Sequence, residues 1–245
     1  MGISRLASPV ITVAGTGLAA GIAVGGWFYQ PRWLITALRR ALPSVLFQVP
    51  TQQPVFALTF DDGPSPAHTM RILDLLAEAD AQATFFVMAD QARKYPALAR
   101  RIVDQGHELG NHLVTNRPAI SMSATEVRDA MREAADVISD ISGTQPRFVR
   151  PPAVLFRPSF LKEAAELGQR VVLASAYASD PLHPPKRYVS WAIPNMMRPG
   201  AIVALHDGRD NRQLTVDVLP DILAAADRMA IKPRTLRATV GFASA

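Results

Sequence analysis

Apolar runs that end abruptly in ionisable residues are the dominant pattern of this chain. Residues 55–60 and 201–205 are almost wholly apolar, and the two runs end at Asp61 and His206. A continuous apolar run of this length, bounded by polar residues, is typical of a parallel strand that is buried on both faces. We therefore predict two buried strands whose carboxyl ends carry functional side chains.

Short apolar segments alternate with segments of helical spacing through most of the chain. The helix predicted from Ser123 has Glu126 three residues on, as in a capping box, and Gly143 follows it. Regular alternation of this kind predicts a parallel sheet covered by helices. The predicted strands are 55–60, 83–88, 107–112, 147–149, 170–174, 201–205 and 234–239, and the predicted helices are 69–78, 97–105, 123–139, 159–167 and 215–229.

The positions of the polar residues distinguish two arrangements that fit this alternation. A doubly wound sheet fits the element order nearly as well as a distorted (β/α) barrel. Polar residues follow one strand after another, however, as the catalytic rim of a barrel requires. We therefore predict an α/β fold over residues 54–240, with a distorted (β/α) barrel of about seven parallel strands.

Composition is that of an ordinary α/β protein. The 245 residues are 49% hydrophobic and 19% charged, which suits one compact domain with a small appendage. The net charge of +5 comes from scattered arginines rather than basic runs, so we predict no nucleic-acid partner. We also expect a monomer. The chain has no cysteine, which excludes disulfides and thiolate metal sites but leaves the compartment open.

The first 31 residues form a separate unit. No charged residue occurs from 6 to 29, and this stretch is long enough to cross a bilayer as a helix before Pro31 ends it. We predict an uncleaved transmembrane signal anchor over 1–31. A cleaved signal peptide and a helix packed on the domain are the alternatives.

Residues 32–53 are predicted to be a juxtamembrane linker. Their amphipathic first half either lies at the membrane interface or caps the domain. Arg32, Arg39 and Arg40 follow the apolar stretch, whereas only Arg5 precedes it. By the positive-inside rule this distribution would keep the domain in the cytoplasm.

Four segments together resemble the motifs of the polysaccharide deacetylase family, whose members are also called NodB homology domains or family 4 carbohydrate esterases. The resemblance extends from about Pro54 to Thr239. It implies a NodB-like barrel and the metal-dependent hydrolytic N-deacetylation of a glycan that contains N-acetylglucosamine, chitin-like or peptidoglycan-type, with release of acetate. The segments are Thr59-Phe60-Asp61-Asp62-Gly63-Pro64, Gly110-Asn111-His112-Leu113-Val114-Thr115-Asn116, Arg147-Phe148-Val149-Arg150-Pro151-Pro152 and Ala201-Ile202-Val203-Ala204-Leu205-His206-Asp207.

The resemblance implies a catalytic role for four residues. Asp61 matches the general base, and Arg150 matches the arginine that orients this base. His206 matches the general acid that protonates the departing amine, and Asp180 matches the carboxylate that tunes this histidine. His107 and Asp207 are interpreted as structural residues.

The resemblance also implies a divalent metal ion, with zinc as the first choice and cobalt, manganese or nickel as alternatives. Asp62 and His112 match two of its ligands. Asn116 stands where the family usually has a second metal-binding histidine, and an amide oxygen suits hard cations better than zinc. Asn116 is therefore a weak ligand, or a water takes its place, or the site binds metal poorly. If one helical turn follows His112, Asn116 lies on the same face.

The walls expected around the acetyl group also depart from the family pattern. Ala153 replaces an aromatic residue, Ala204 replaces a leucine, and the tryptophan expected after Asp180 is absent. One wall is then open or is filled by Phe156. These departures keep two other functions in view: a catalytically weak, membrane-tethered glycan-binding protein, and an amidohydrolase of the same fold that acts on a small non-sugar amide. A deacetylase of cell-wall glycan must face outward, so we expect an extracytoplasmic catalytic domain.

Overall fold

A computed structural model describes residues 28–209 and 211–242 of the chain. In this part, strands and helices alternate as the sequence predicts. The strands are β1 (Val45–Leu46), β2 (Val55–Asp61), β3 (Thr84–Val87), β4 (Glu108–Asn111), β5 (Phe148–Val149), β6 (Arg170–Val172), β7 (Ile202–His206) and β8 (Lys232–Arg234). The helices are α1 (Arg32–Ala41), α2 (Thr69–Glu78), α3 (Ala89–Lys94), α4 (Pro96–Asp104), α5 (Ala124–Ser142), α6 (Pro158–Glu166), α7 (Lys186–Met196), α8 (Gln213–Arg228) and α9 (Leu236–Gly241).

The strands form one parallel sheet that curves into a half-barrel. Seven of them follow the order β1-β6-β5-β4-β3-β2-β7, and β8 pairs with the first residues of β2. Isolated bridges join Gln48 to Ala201 and Ala176 to Val203, so the two ends of the strand path approach each other. The prediction of an α/β fold with about seven parallel strands is confirmed.

Strand β2 shows why the apolar runs predict buried strands. All seven of its residues are buried, because β3 lies on one side, β7 on the other, and helices cover the sheet. The rings of Phe60 and Phe85 stack with their centroids 5.0 Å apart. Burial of a phenylalanine side chain of this kind contributes about 1.5–3 kcal/mol to the free energy of unfolding.

The longest helix begins and ends through local sequence signals. Ser123 Oγ accepts the main-chain N–H of Glu126, and the Glu126 carboxylate accepts the main-chain N–H of Ser123, which is the predicted capping box. Gly143 ends the helix with a φ of 72°, a conformation that costs glycine little.

The end of the chain corrects one prediction. A strand over 234–239 is wrong, because pairing with β2 stops at Arg234 and helix α9 follows. Thr235 caps this helix by accepting the main-chain N–H of Ala238. Leu236 and Val240 lie four residues apart and both pack into the core, which is helical spacing. Sequence reasoning also missed β1, α3 and α7.

The amphipathic stretch after Pro31 is helix α1. It packs on the domain through Ile35, which is 1% exposed, while Trp33 is 59% exposed. β1 follows and pairs with β6. The predicted transmembrane segment lies outside the described residues except for its last few positions. None of the helices within 28–209 and 211–242 combines the length and the apolar composition that a membrane span needs.

Candidate active site

The carboxyl ends of β2, β4, β5 and β7 bring most of the predicted site residues together. Asp61 and His206 are the last residues of β2 and β7 and are register partners on these neighbouring strands. Adjacent strands lie about 4.8 Å apart, so the two side chains flank one position on the rim. A cavity of about 530 Å³ opens at this rim. The predicted residues that line it are Asp61, Asp62, His112, Asn116, Arg150 and His206.

Asp61 is held by a buried arginine. Arg150 Nη1 donates to Asp61 Oδ1 at 2.6 Å and to the Thr59 hydroxyl oxygen at 2.8 Å. Arg150 is 1% exposed, and its guanidinium lies 4.2 Å from the ring centroid of Phe86. Stacking and charge-assisted hydrogen bonds together fix the guanidinium in one orientation. The contact therefore fixes the Asp61 carboxylate and supplies its counter-charge.

His206 is paired with a second buried carboxylate. Its Nδ1 lies 3.0 Å from Asp180 Oδ1, and its main-chain N–H donates to Asp180 Oδ2 at 2.9 Å. Burial by itself would lower the pKa of His206. The charge and hydrogen bond of Asp180, with the charges of Asp61 and Asp62, outweigh burial and raise this pKa to about 9. The imidazole is therefore protonated at neutral pH, and Nε2 is free to deliver a proton.

Asp62 and His112 form the candidate metal pair. His112 Nδ1 lies 2.8 Å from the carbonyl oxygen of Arg150, which can only accept, so this nitrogen carries the proton. In a neutral ring Nε2 is then an acceptor, yet it faces Asp62 Oδ1 at 3.3 Å. Two buried acceptors this close require a cation between them or a second proton on the ring. Carboxylate and imidazole are ligands of zinc and related metals, so the residues fit a divalent ion.

The Asp62 carboxylate is ionised in this environment. Burial alone would raise its pKa. The hydrogen bond and charge of His112, followed by the charges of His206 and Arg212, bring the pKa of Asp62 down to about 2. A metal would therefore meet a carboxylate that is already deprotonated at neutral pH.

Asn116 lines the same cavity but not by the helical turn that its spacing suggested. The segment after His112 is irregular, with Leu113 at a φ of 61° and its N–H donating to the Asn111 side chain. Across residues 28–209 and 211–242, no three His, Cys, Asp or Glu side chains form a group that could hold a metal. The Asn116 amide or a water would therefore have to supply the next donor.

The walls of the cavity are small and apolar where the sequence departs from the family pattern. Ala153 and Ala204 both line it. Phe156 packs instead against Phe160, with ring centroids 5.4 Å apart, and belongs to a separate core cluster. Other parts of the wall come from residues that sequence reasoning did not place there: Leu38, Phe47, Leu173, Tyr177 and Leu182.

Three polar residues at the site were missed by sequence reasoning. Thr59 lies two residues before Asp61 and so points to the same face of the strand, which is a signal that period-two spacing carries. Arg212 reaches Asp62 Oδ2 at 3.5 Å, and Thr215 donates its hydroxyl to Asp180 Oδ2 at 2.9 Å. No local pattern marks Arg212 or Thr215, because both contacts depend on how α8 docks.

Two residues interpreted as structural, His107 and Asp207, are both buried. His107 Nδ1 accepts the main-chain N–H of Ala83 at 3.2 Å, and burial lowers the pKa of His107 to about 4. Asp207 is fully buried and accepts the hydroxyl of Thr69. Burial raises the pKa of Asp207 to about 7.

A fixed carboxylate and a protonated imidazole, placed side by side next to a candidate metal pair, define a hydrolytic site on a parallel half-barrel. Sequence comparison identifies the family of hydrolases to which the chain belongs. Residues 48–172 match the sequence profile of the family described as polysaccharide deacetylase, and the chain belongs to this family.

Individual relatives agree with this assignment. The chain is 32% identical to a peptidoglycan-N-acetylglucosamine deacetylase of Bacillus cereus over 73% of its own length and 84% of the relative. A solved structure of a peptidoglycan N-acetylglucosamine deacetylase has a TM-score of 0.78 and 27% identity, covering 81% of this chain and 93% of that one. A family 4 acetyl xylan esterase from Clostridium thermocellum, solved with a cobalt ion, has a TM-score of 0.71 and 30% identity. The match covers 76% of this chain and 90% of the esterase chain.

Proposed function

We propose that this protein hydrolyses the N-acetyl group of N-acetylglucosamine residues in a chitin-like or peptidoglycan-type glycan and releases acetate. The observation that carries the proposal is the pairing at the rim. Asp61 and His206 are register partners, and each has its own oppositely charged partner, Arg150 and Asp180. One group is thus held as a base and its neighbour as an acid, which amide hydrolysis needs together.

Asp61 is the general base. It accepts a proton from the water that attacks the acetamide carbon, and Arg150 holds the carboxylate in place while it does so. Because Arg150 also bonds to Thr59, the arginine stays fixed when Asp61 becomes protonated. The attack forms a carbon–oxygen bond and moves the carbonyl electron pair onto oxygen.

His206 is the general acid. When the tetrahedral centre collapses, the carbon–nitrogen bond breaks and His206 Nε2 donates its proton to the departing amine, so acetate and a free amino sugar result. Asp180 engages Nδ1, which leaves Nε2 as the nitrogen that faces the reaction.

Asp62 and His112 would hold the divalent metal, with Asn116 as the weak third ligand. Bound there, zinc would polarise the acetamide carbonyl and lower the pKa of the attacking water. Zinc suits a site with an imidazole donor, and the cobalt ion in the acetyl xylan esterase supports cobalt as an alternative.

Acetate release tests this proposal. The protein is loaded with zinc or cobalt and incubated with chitin oligomers, and acetate is measured together with free amine. We expect equal amounts of both products, and we expect Asp61→Asn to release at least about 100-fold less. Absence of release with every divalent metal tried would refute the proposed activity.

A catalytically weak glycan-binding protein is the second candidate. The observation that favours it is Asn116, which supplies a poorer zinc donor than the histidine of the family pattern. This candidate predicts saturable binding of chitin oligomers without acetate release. The deacetylase proposal predicts that binding and release occur over the same range of oligomer concentration.

We also propose that residues 1–31 anchor the protein in a membrane and that the catalytic domain predicted at 54–240 faces the extracytoplasmic side. Residues 32–53 lead from the anchor to this domain and pack on it through α1 and β1. The uncharged stretch from 6 to 29 supports the anchor, and the location of cell-wall glycan supports the orientation. Protease treatment of intact cells should degrade the catalytic domain. Protection from protease would place it in the cytoplasm, as the positive-inside rule implies.

The proposed partners are a glycan substrate and the membrane, with no nucleic acid. We propose a monomer, because the four proposed catalytic side chains, Asp61, Arg150, Asp180 and His206, converge within one chain. Sedimentation of the detergent-solubilised full chain would test this. A dimer at working concentration would contradict the proposed state.

A further inference from the structure

Arg212 is a buried arginine at the site that the proposed reaction does not use. It lies between β7 and α8 and is 5% exposed. Its Nε donates to the carbonyl oxygen of Gly208 at 3.1 Å, and its main-chain N–H donates to His68 Nε2 at 3.2 Å. The Nε contact therefore holds the guanidinium inside the cavity, and the N–H contact fixes the main chain of Arg212.

The guanidinium faces the carboxylate that is proposed to bind metal. Arg212 Nη2 lies 3.5 Å from Asp62 Oδ2, whereas Asp62 Oδ1 faces His112. The main chain of Asp62 is held as well, because a Cβ on Gly208 would lie 1.9 Å from the Asp62 carbonyl oxygen. The two carboxylate oxygens are thus divided between a fixed cation and the imidazole.

We infer that Arg212 is the built-in counter-ion of Asp62 and weakens the binding of a divalent metal between Asp62 and His112. The guanidinium satisfies the buried carboxylate in the metal-free protein, so a metal gains less by approaching it. The same positive charge repels an incoming cation, and buried charges are poorly screened by salt. This inference rests on the metal site of the proposed function.

Arg212 also has an effect of the opposite sign. A hydrogen-bonding partner that orients a metal ligand raises affinity, and loss of such a partner costs about 10–100-fold. Glutamine at position 212 separates the two effects, because its amide can donate to Asp62 Oδ2 without carrying a charge. Lysine keeps the charge and loses the planar donor geometry.

The test is the dissociation constant of zinc, measured by competition with a chromophoric chelator and without substrate. We expect Arg212→Gln to bind zinc at least about tenfold more tightly than the wild type, and Arg212→Lys to stay within about threefold of it. Equal or weaker binding by Arg212→Gln overturns the inference.

Arg71→Gln is the matched control. Arg71 is exposed, donates to Gln213 at the start of α8, and carries the same charge outside the cavity. Its loss should leave zinc affinity unchanged. If Arg71→Gln tightens zinc binding as much as Arg212→Gln does, net charge is responsible and the inference falls.

A second neutral variant and a separate readout keep the test decisive. Circular dichroism and thermal melting report whether each variant folds, and if Arg212→Gln does not, Arg212→Asn carries the same expectation because it also replaces the charge with a neutral amide donor. Because zinc binding is measured without substrate, tighter binding without any acetate release would contradict the proposed reaction and leave the role of Arg212 intact.

Discussion

The carboxylate of Asp180 contacts both the side chain and the main chain of His206. Its Oδ1 lies 3.0 Å from the imidazole Nδ1, and its Oδ2 accepts the main-chain N–H at 2.9 Å. This double contact fixes both the position of the residue and the orientation of its ring. It also places a buried negative charge beside the imidazole, which stabilises the protonated form. The protonation of His206 in the proposed reaction therefore depends on Asp180 as much as on the imidazole itself.

Asp180→Asn should shift the pH dependence of the reaction. Without this carboxylate the pKa of His206 falls from about 9, so the protonated acid is lost at a lower pH. We expect the basic limb of the kcat/KM profile to move to lower pH and kcat to fall by at least about 100-fold. Asp217→Asn, at an exposed position of α8, is the control and should leave the profile in place.

Arg150→Lys should impair the reaction although the charge is kept. An ammonium cannot reproduce the planar guanidinium that stacks on Phe86 and bonds to both Asp61 and Thr59. We expect kcat to fall by at least about tenfold with KM changed much less, because the lost contact orients the base. The exposed Arg147→Lys is the control. An unchanged kcat in Arg150→Lys would show that a point charge near Asp61 is sufficient.

Asn116→His should tighten zinc binding. An imidazole is a stronger zinc donor than an amide oxygen, and position 116 lines the cavity that contains Asp62 and His112. Calorimetric titration of the metal-free proteins should give an affinity at least about tenfold higher for the variant. Equal affinities would mean that residue 116 faces away from the metal.

Asp207→Asn should change how stability depends on pH. Burial raises the pKa of Asp207 from 3.8 to about 7. The contribution of this side chain to the free energy of unfolding is therefore complete below pH 3.8, and it is lost as the pH rises through about 7. Asparagine cannot ionise and keeps an oxygen for the Thr69 hydroxyl. Urea unfolding is measured with a chelator present to remove metal. The free energy of unfolding of the variant should rise relative to that of the wild type between about pH 4 and 7.

The exposed Asp104→Asn provides the control for this comparison, since it removes a carboxylate from the surface end of α4. Its stability difference from the wild type should vary much less over the same range. A difference for Asp207→Asn that does not change with pH would contradict the burial argument.

Gly208→Ala should destabilise the protein. An added Cβ would lie 1.9 Å from the Asp62 carbonyl oxygen and 2.3 Å from the Gly63 nitrogen, which are main-chain atoms that cannot move aside cheaply. Overpacking of this kind costs about 1–3 kcal/mol in the free energy of unfolding. Gly241→Ala is the matched control, because nothing lies within 4 Å of its added Cβ. Chemical denaturation of both variants would measure the difference.

Much of the fold could be predicted because the local periodicity of apolar residues determines where the strands and helices lie. Burial on both faces makes β2 and β7 continuous apolar runs, and the capping box of Ser123 and Glu126 marks the start of α5 within four residues. The sequence does not decide the segment at Leu236, because residues 234–239 are too few and too polar to show either strand or helical periodicity, and only its packing distinguishes the two.

The sequence by itself determined which chemical groups end the buried strands, since the end of an apolar run is a local property of the chain. Tertiary structure decided which of these groups meet. Asp61 and Arg150 are 89 residues apart, and Asp62 and Arg212 are 150 residues apart. Such pairs form only when distant elements dock, because the contact depends on sheet order and helix placement rather than on spacing along the chain.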